Sequence, residues 1–208
     1  MSPTPSAIEE YDRQAPLRES TETATFALGC FWGPDARFGA LDGVVRTRVG
    51  YAGGTKADPT YHDLGDHSEA VQVDYDPDVR SFRSLLELAF RGHDHTRQPS
   101  KTQYQNIVFA STADQADVIA SYLDARGLTR EGIDTRIEQL HRFHLAEAYH
   151  QKHSLRGRQS LLNSFEVAGY DDAELRESPA AATLNGYAAG RELPEGHNLG
   201  VPTNRTVH

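Results

Sequence analysis

Between Thr23 and Gly157, short β-branched runs alternate with segments of helical period, and this alternation restricts the fold more than any other feature. "TATFALG" reads as a strand, Phe31 to Leu41 as a helix, and "GVVRTRVGYAGG" as a strand ending in glycines. After the loop "TKADPTYHDLGD", "EAVQVDYDP" alternates apolar and polar residues as a half-buried strand does. "SFRSLLELAFRGH" opens with Ser81 as an N-cap for an amphipathic helix. "NIVFAS" is a short buried strand, and "TADQADVIASYLDARG" a helix between a Thr112 N-cap and Gly127. "DTRIEQL" is a strand, and "FHLAEAYHQKHSLRG" is expected to form a helix ending at Gly157. The pattern implies an α/β (α+β) domain in which helices flank a mixed β-sheet.

The ends differ from this body. Residues 1–22 carry Pro, Ser, Thr and Glu without apolar periodicity and read as an N-terminal extension, ordered only where the body docks it. The body spans 23–177, and 178–208 is expected to be an irregular C-terminal tail wrapping the domain or a partner subunit. A chain of 208 residues with 38% hydrophobic and 25% charged residues has the composition of one globular domain rather than of a disordered polymer. Its net charge of -9 argues against a nucleic-acid surface, since no Lys/Arg cluster offsets the repulsion of phosphates. No basic leader precedes an apolar run and no 18 apolar residues run together, so the expectation is a soluble, cytoplasmic protein without a membrane partner.

The single cysteine, Cys30, rules out an intrachain disulfide scaffold. It follows Gly29 at a strand end and precedes Pro34, a residue tolerated in the first turn of a helix. A thiol at a helix N-terminus meets free N–H groups and the positive end of the dipole, which would lower its pKa and favour the nucleophilic thiolate. The same position also suits a cysteine that serves as a small buried apolar residue. Phe31 and Trp32 follow directly, either as core or as an apolar wall for a small substrate.

The run Gly29-Cys30-Phe31-Trp32-Gly33 resembles the signature of the type A peptide methionine sulfoxide reductases, which act on the S epimer of methionine sulfoxide. Further segments match that family in order: "GYAGG" at 50–54, "DPTY" at 58–61, "HSEAVQVDYDP" at 67–77, "TQY" at 102–104 and "LAEAYHQKH" at 145–153. The similarity covers roughly residues 24–157 and implies the family's two-layer sandwich of sheet and helices. Carried over by position, Cys30 is the nucleophile that attacks the sulfoxide sulfur, and Glu69 protonates the departing oxygen. Tyr61 and Tyr104 hydrogen-bond that oxygen. Phe31 and Trp32 hold the methyl group, with Gly29 and His150 also placed at the substrate. Chemistry favours these residue types independently, because a sulfoxide oxygen leaves poorly until protonated, and a strand carboxyl facing rings is kept protonated by desolvation.

The resemblance implies no cofactor and no metal, and it departs from the family in two places. Family members with a complete disulfide cycle carry further cysteines to resolve the sulfenic acid, whereas here an external thiol, such as thioredoxin, glutaredoxin or a low-molecular-weight thiol, would have to do so. The family's Gly-Asn-Asp-x-Gly run, whose Asp helps bind the substrate's backbone amide, is replaced by "HDHTRQPSKTQYQN", with Pro99 at the Asp position and Lys101 at the Gly. The loop from Tyr61 to His67 is shortened as well. Both changes face the substrate, which leaves open free methionine sulfoxide, another small sulfoxide or another electrophile.

Ten histidines offer a competing reading. In "HRFHLAEAYHQKH", His141, His144, Glu147, His150 and His153 recur every three residues, and on a helix they would lie near one face. Glu147-x-x-His150 has the form of half a di-iron site, but its second half is missing, and "HDH" at 93–95 has no defined ligand spacing.

Overall fold

The computed structural model describes residues 2–194 and 196–202. Helix α1 (Pro5–Gln14) is followed by β1 (Glu22–Leu28), α2 (Trp32–Gly39), β2 (Val44–Ala52), β3 (Ser68–Tyr75) and α3 (Phe82–Arg91). Then come β4 (Asn106–Ala110), α4 (Ala113–Asp124), β5 (Arg136–Gln139) and β6 (Phe143–Leu145). Four helices close the chain: α5 (His153–Arg156), α6 (Gln159–Val167), α7 (Asp172–Glu177) and α8 (Pro179–Ala188).

The strands form one sheet in the order β5-β4-β1-β3-β2-β6, antiparallel except for the parallel pair β4/β5. This is the mixed sheet expected from the alternation of elements. Phe26, Val71 and Val73 point to the face covered by α2, α3 and α4, where Phe26 stacks on Phe38 at 5.4 Å and on Phe82 at 6.2 Å. Ala27, Ala70, Ile107 and Phe109 occupy the opposite face under Leu140 and Phe143. Ser81 and Thr112 cap α3 and α4 through their side chains, as read from the sequence.

Residues 143–157 are not the single helix their spacing suggested. Phe143–Leu145 pairs antiparallel with Gly50–Ala52 at the sheet edge, so its backbone hydrogen bonds go to β2 instead of to a helix. Gln151 then clamps the backbone of β2, accepting from Val49 N–H at 3.0 Å and donating to Val49 O at 2.8 Å. Lys152 at φ +55° breaks the helical path before the single turn of α5. Tertiary pairing here overrides a local helical period.

The C-terminal segment expected to be irregular contains α8, capped by Ser178 with Pro179 in its first turn and buried along nearly its whole length. Its small residues explain the fit, since a Cβ on Gly186 would stand 2.5 Å from Ala40 Cβ, and one on Gly39 would stand 2.3 Å from Ala182 O. Only glycine at both positions permits so close a crossing of α2 and α8. Ile8 and Tyr11 of α1 join the same cluster with Leu161, Phe165 and Leu184, which docks the N-terminal extension. Met1, Glu195 and the last six residues of the expected tail lie outside the described residues.

Candidate active site

Strand β1 ends at Leu28, and Gly29 adopts φ +76°, a left-handed conformation that turns the chain from sheet to helix and favours glycine even though a Cβ would meet nothing. Cys30 therefore emerges exposed at the mouth of this turn, one residue before the N-cap of α2. Phe31 makes no side-chain cap. Its N–H instead donates to Oε2 of Glu69 at 3.0 Å, so a carboxyl from the neighbouring strand satisfies a free donor of the helix.

Glu69 sits at the start of β3 opposite Tyr51 and on the same face as Val71, the face that α2 covers. It is 1% exposed. Gln103 donates its amide N–H to Oε1 of Glu69 at 2.6 Å, and the Cys30 thiol lies near enough for the field of the same carboxyl to act on it. Burial pushes Glu69 above the ordinary glutamate range, against the opposing pull of the Phe31 N–H, Gln103 and Lys101. The thiol departs from expectation. Partial loss of hydration pushes Cys30 up, and although the Trp32 N–H pulls the other way, the negative charge of Glu69 adds to the rise. The helix terminus is present, but a neighbouring carboxyl and desolvation outweigh it.

Rings wall the thiol on one side. Phe31 is buried against Tyr51 and His150 at centroid distances of 6.0 and 5.1 Å. Trp32 donates its indole N–H to Nδ1 of His150 at 3.3 Å, which places the imidazole proton on Nε2, a buried atom with no partner among the described residues. Tyr61 packs on His150 at 4.5 Å, and Tyr104 stands near Tyr61, within reach of the fields of Glu69 and Cys30. The seven other residues selected from the sequence thus lie in the neighbourhood of one exposed sulfur, that of Cys30.

Several contributors were not identified as site residues. Gln103 lies between two motif residues, Thr102 and Tyr104, and its position in "TQY" was the available signal. His153 stacks face to face on Trp32 at 3.7 Å with an interplanar angle of 9°. Glu147, first considered as a metal ligand, accepts from the Tyr51 hydroxyl at 2.7 Å and the Tyr61 N–H at 2.9 Å, and so fixes the loop that carries Tyr61. Burial alone would raise Glu147, but these two donors hold it below the ordinary range. With no continuous helix, the threefold spacing of the histidines does not put them on one face, and no group of three or more His, Cys, Asp or Glu among the described residues could hold a metal ion. No helix among them is long and apolar enough to cross a membrane.

Fold and site together define a class of protein: a helix-covered mixed sheet that presents one exposed thiol beside a buried carboxyl and a wall of rings. The family model for peptide methionine sulfoxide reductase matches residues 22–178. A peptide methionine sulfoxide reductase of Drosophila melanogaster is 43% identical over 171 residues, 81% of this chain and 68% of that protein. Peptide methionine sulfoxide reductase A5 of Arabidopsis thaliana is 39% identical over 175 residues, with the same coverage. Among solved structures, methionine sulfoxide reductase A of Corynebacterium diphtheriae superposes with a TM-score of 0.57 at 32% identity, covering 69% of this chain and 78% of that one. The reduced form of Mxr1 from Saccharomyces cerevisiae gives 0.54 at 30% identity, covering 64% and 83%. The chain belongs to the peptide methionine sulfoxide reductase family.

Proposed function

We propose that this chain reduces the S epimer of methionine sulfoxide, with Cys30 as the nucleophile and Glu69 as the proton donor. The observation that carries the reading is the placing of the exposed Cys30 thiol beside the buried Glu69 carboxyl, which accepts from the N–H of the next residue, Phe31, at 3.0 Å. Both groups are pushed above their ordinary ranges, which favours the protonated form of each. Protonated Glu69 donates to the sulfoxide oxygen as the Cys30 sulfur, losing its proton to the same carboxyl, attacks the substrate sulfur. The substrate's S–O bond then breaks and the S–S bond formed in the attack is exchanged for a bond between the Cys30 sulfur and the hydroxyl released, so methionine leaves and Cys30 carries the oxygen as a sulfenic acid. Glu69 passes one proton on and regains another, and atoms balance without an added acid.

Phe31 and Trp32 grip the substrate's methyl group, and the hydroxyls of Tyr61 and Tyr104 orient the oxygen. Gly29 leaves the approach to the sulfur free of a side chain, and the Nε2–H of His150 adds a donor at the ring wall. With no second cysteine in the chain, the sulfenic acid is closed by outside thiols. One forms a mixed disulfide and water, and a second releases the Cys30 thiol as a disulfide forms between the two. Thioredoxin, glutaredoxin or a low-molecular-weight thiol fits this step, in a reducing compartment such as the cytoplasm. No prosthetic group enters the cycle.

Turnover with dithiothreitol as reductant tests the reading. Wild-type protein converts methionine S-sulfoxide to methionine in the presence of a chelator, and Cys30→Ser abolishes the conversion. Loss of activity with the chelator and its retention in Cys30→Ser would replace the thiol reading with a metal one.

A further inference from the structure

A cleft of about 380 Å³ opens beside the site, lined in part by Tyr61, His62, Asp63, Lys101, Thr102 and Gln103. Two of these belong to the proposed chemistry: Gln103 donates to Glu69, and the Tyr61 ring packs on His150 at 4.5 Å. A substrate whose sulfur meets Cys30 therefore has room to extend its remaining atoms into this cleft.

The charge there is unusual for this chain. The sequence holds three lysines. Lys56 is paired with Asp63 at 2.9 Å, and Lys152 lies 3.8 Å from Asp35 in the interior. Lys101 forms no ion pair with a carboxylate among the described residues. Its ammonium lies 4.8 Å from the centre of the Tyr104 ring, near enough to the reaction centre for its charge to act on Glu69. In a protein with a net charge of -9, an unpaired cation at the edge of a cleft is the group best placed to meet an anionic ligand. The acid on the same wall, Asp63, is already held by Lys56.

The geometry points to Lys101 as a specificity residue that binds the α-carboxylate of the substrate, so that the site prefers free or C-terminal methionine S-sulfoxide over the same residue inside a peptide. This deepens the proposed reductase reading and rests on it. In methionine sulfoxide three carbons separate the sulfur from the carboxyl carbon, which suits a cation two positions before Gln103 and three before Tyr104 rather than one in direct contact with the sulfur. An internal residue offers only a neutral amide carbonyl at that place, and the ion pair is lost.

Two substrates isolate the carboxylate: N-acetyl-L-methionine S-sulfoxide and its C-terminal carboxamide. The readout is the ratio of their kcat/KM values, in which any effect of Lys101 on Glu69 cancels because it applies to both. In wild-type protein the acid is expected to exceed the amide about fivefold, the size of a solvent-exposed ion pair. Lys101→Arg keeps the ratio, Lys101→Glu takes it below one, and added salt lowers it only in the first two proteins. An equal ratio in wild-type and Lys101→Glu proteins would overturn the assignment while leaving the reductase reading intact. Failure of both substrates to turn over, with Cys30 unmodified, would overturn the reductase reading and this inference with it.

Discussion

Asn185 and Asp35 lie 150 positions apart in the chain and meet in its interior, where the Asn185 amide donates to Oδ2 of Asp35 at 3.0 Å. Asp35 belongs to the first turn of α2, the helix that begins beside Cys30, and its other oxygen accepts from Thr47 at 2.5 Å. Asn185 also accepts from the Leu155 N–H at 3.0 Å, so one side chain on α8 ties α2 to α5. Lys152 completes the cluster from 3.8 Å. The matched family region ends at residue 178, yet the helix just beyond it holds the one that presents the thiol.

Asn185→Leu leaves Asp35 Oδ2 and the Leu155 N–H without partners in a dry interior. The cost expected for stranded buried groups is about 1–3 kcal/mol. Chemical denaturation of the variant at neutral pH is expected to show that loss with an unchanged slope, and an unchanged midpoint would mean that water or a rearranged neighbour satisfies both groups.

Glu69→Gln keeps the shape of the carboxyl and removes its proton chemistry. Reduction of methionine S-sulfoxide is expected to slow by about 10²–10⁴-fold, the usual range for a positioned proton donor. The thiol should change in a definite direction too. Ionised Glu69 opposes the thiolate, so its removal moves the Cys30 titration to lower pH, measured by alkylation with iodoacetamide across pH. In wild-type protein kcat/KM should fall as pH rises through the raised pKa of Glu69, because the acid form is the competent one. A titration that stays in place in the variant would remove the coupling between the two groups.

His153 covers one face of the only tryptophan, and aromatic pairs of this kind contribute about 0.5–1.5 kcal/mol beyond burial. His153→Ala is expected to raise the KM for methionine S-sulfoxide about twofold to tenfold, because Trp32 loses the support that holds its ring against the substrate. His153→Phe restores the stack and should restore the KM. A variant pair with equal KM values would separate the ring stacking from substrate binding.

Glu177 anchors α7 to the sheet through Arg48 at 3.2 Å and to Arg176 at 2.7 Å, with Arg18 adding a third guanidinium. Burial would raise its pKa, but Arg176, Arg48 and Arg18 together hold it at about 2. A depressed carboxylate adds stability above its unfolded value of 4.5, and that stability is lost as pH falls toward about 2. Because the side chain is 23% exposed and its partner Arg18 reaches solvent, the contribution is discounted to about 1 kcal/mol. Glu177→Gln should therefore lower stability at neutral pH and flatten its decline between those two pH values, as followed by urea denaturation.

The sheet was legible because its strands carry their own alternation, and the site was legible because "GCFWG", "DPTY", "HSEAV" and "TQY" each place a reactive type at an element end. What escaped depended on partners distant in sequence. The stretch from Phe143 has a helical period, but the open edge of β2 captured it as a strand. The alanine-rich stretch of α8 has no polar face, so it showed no amphipathic pattern, and only the glycines of α2 and α8 reveal why it is buried. The pKa of Cys30 followed the same rule, since the helix terminus was local and visible whereas Glu69 came from 39 residues away, brought in by the packing of β3 under α2.

The most direct test is a single turnover of the reduced protein with each epimer of methionine sulfoxide, following Cys30 sulfenic acid by trapping and mass. The account predicts one equivalent of methionine from the S epimer, none from the R epimer, and oxidation of Cys30 in step with product. Methionine formed while Cys30 stays reduced, or a thiol left unmodified by either epimer, would contradict it.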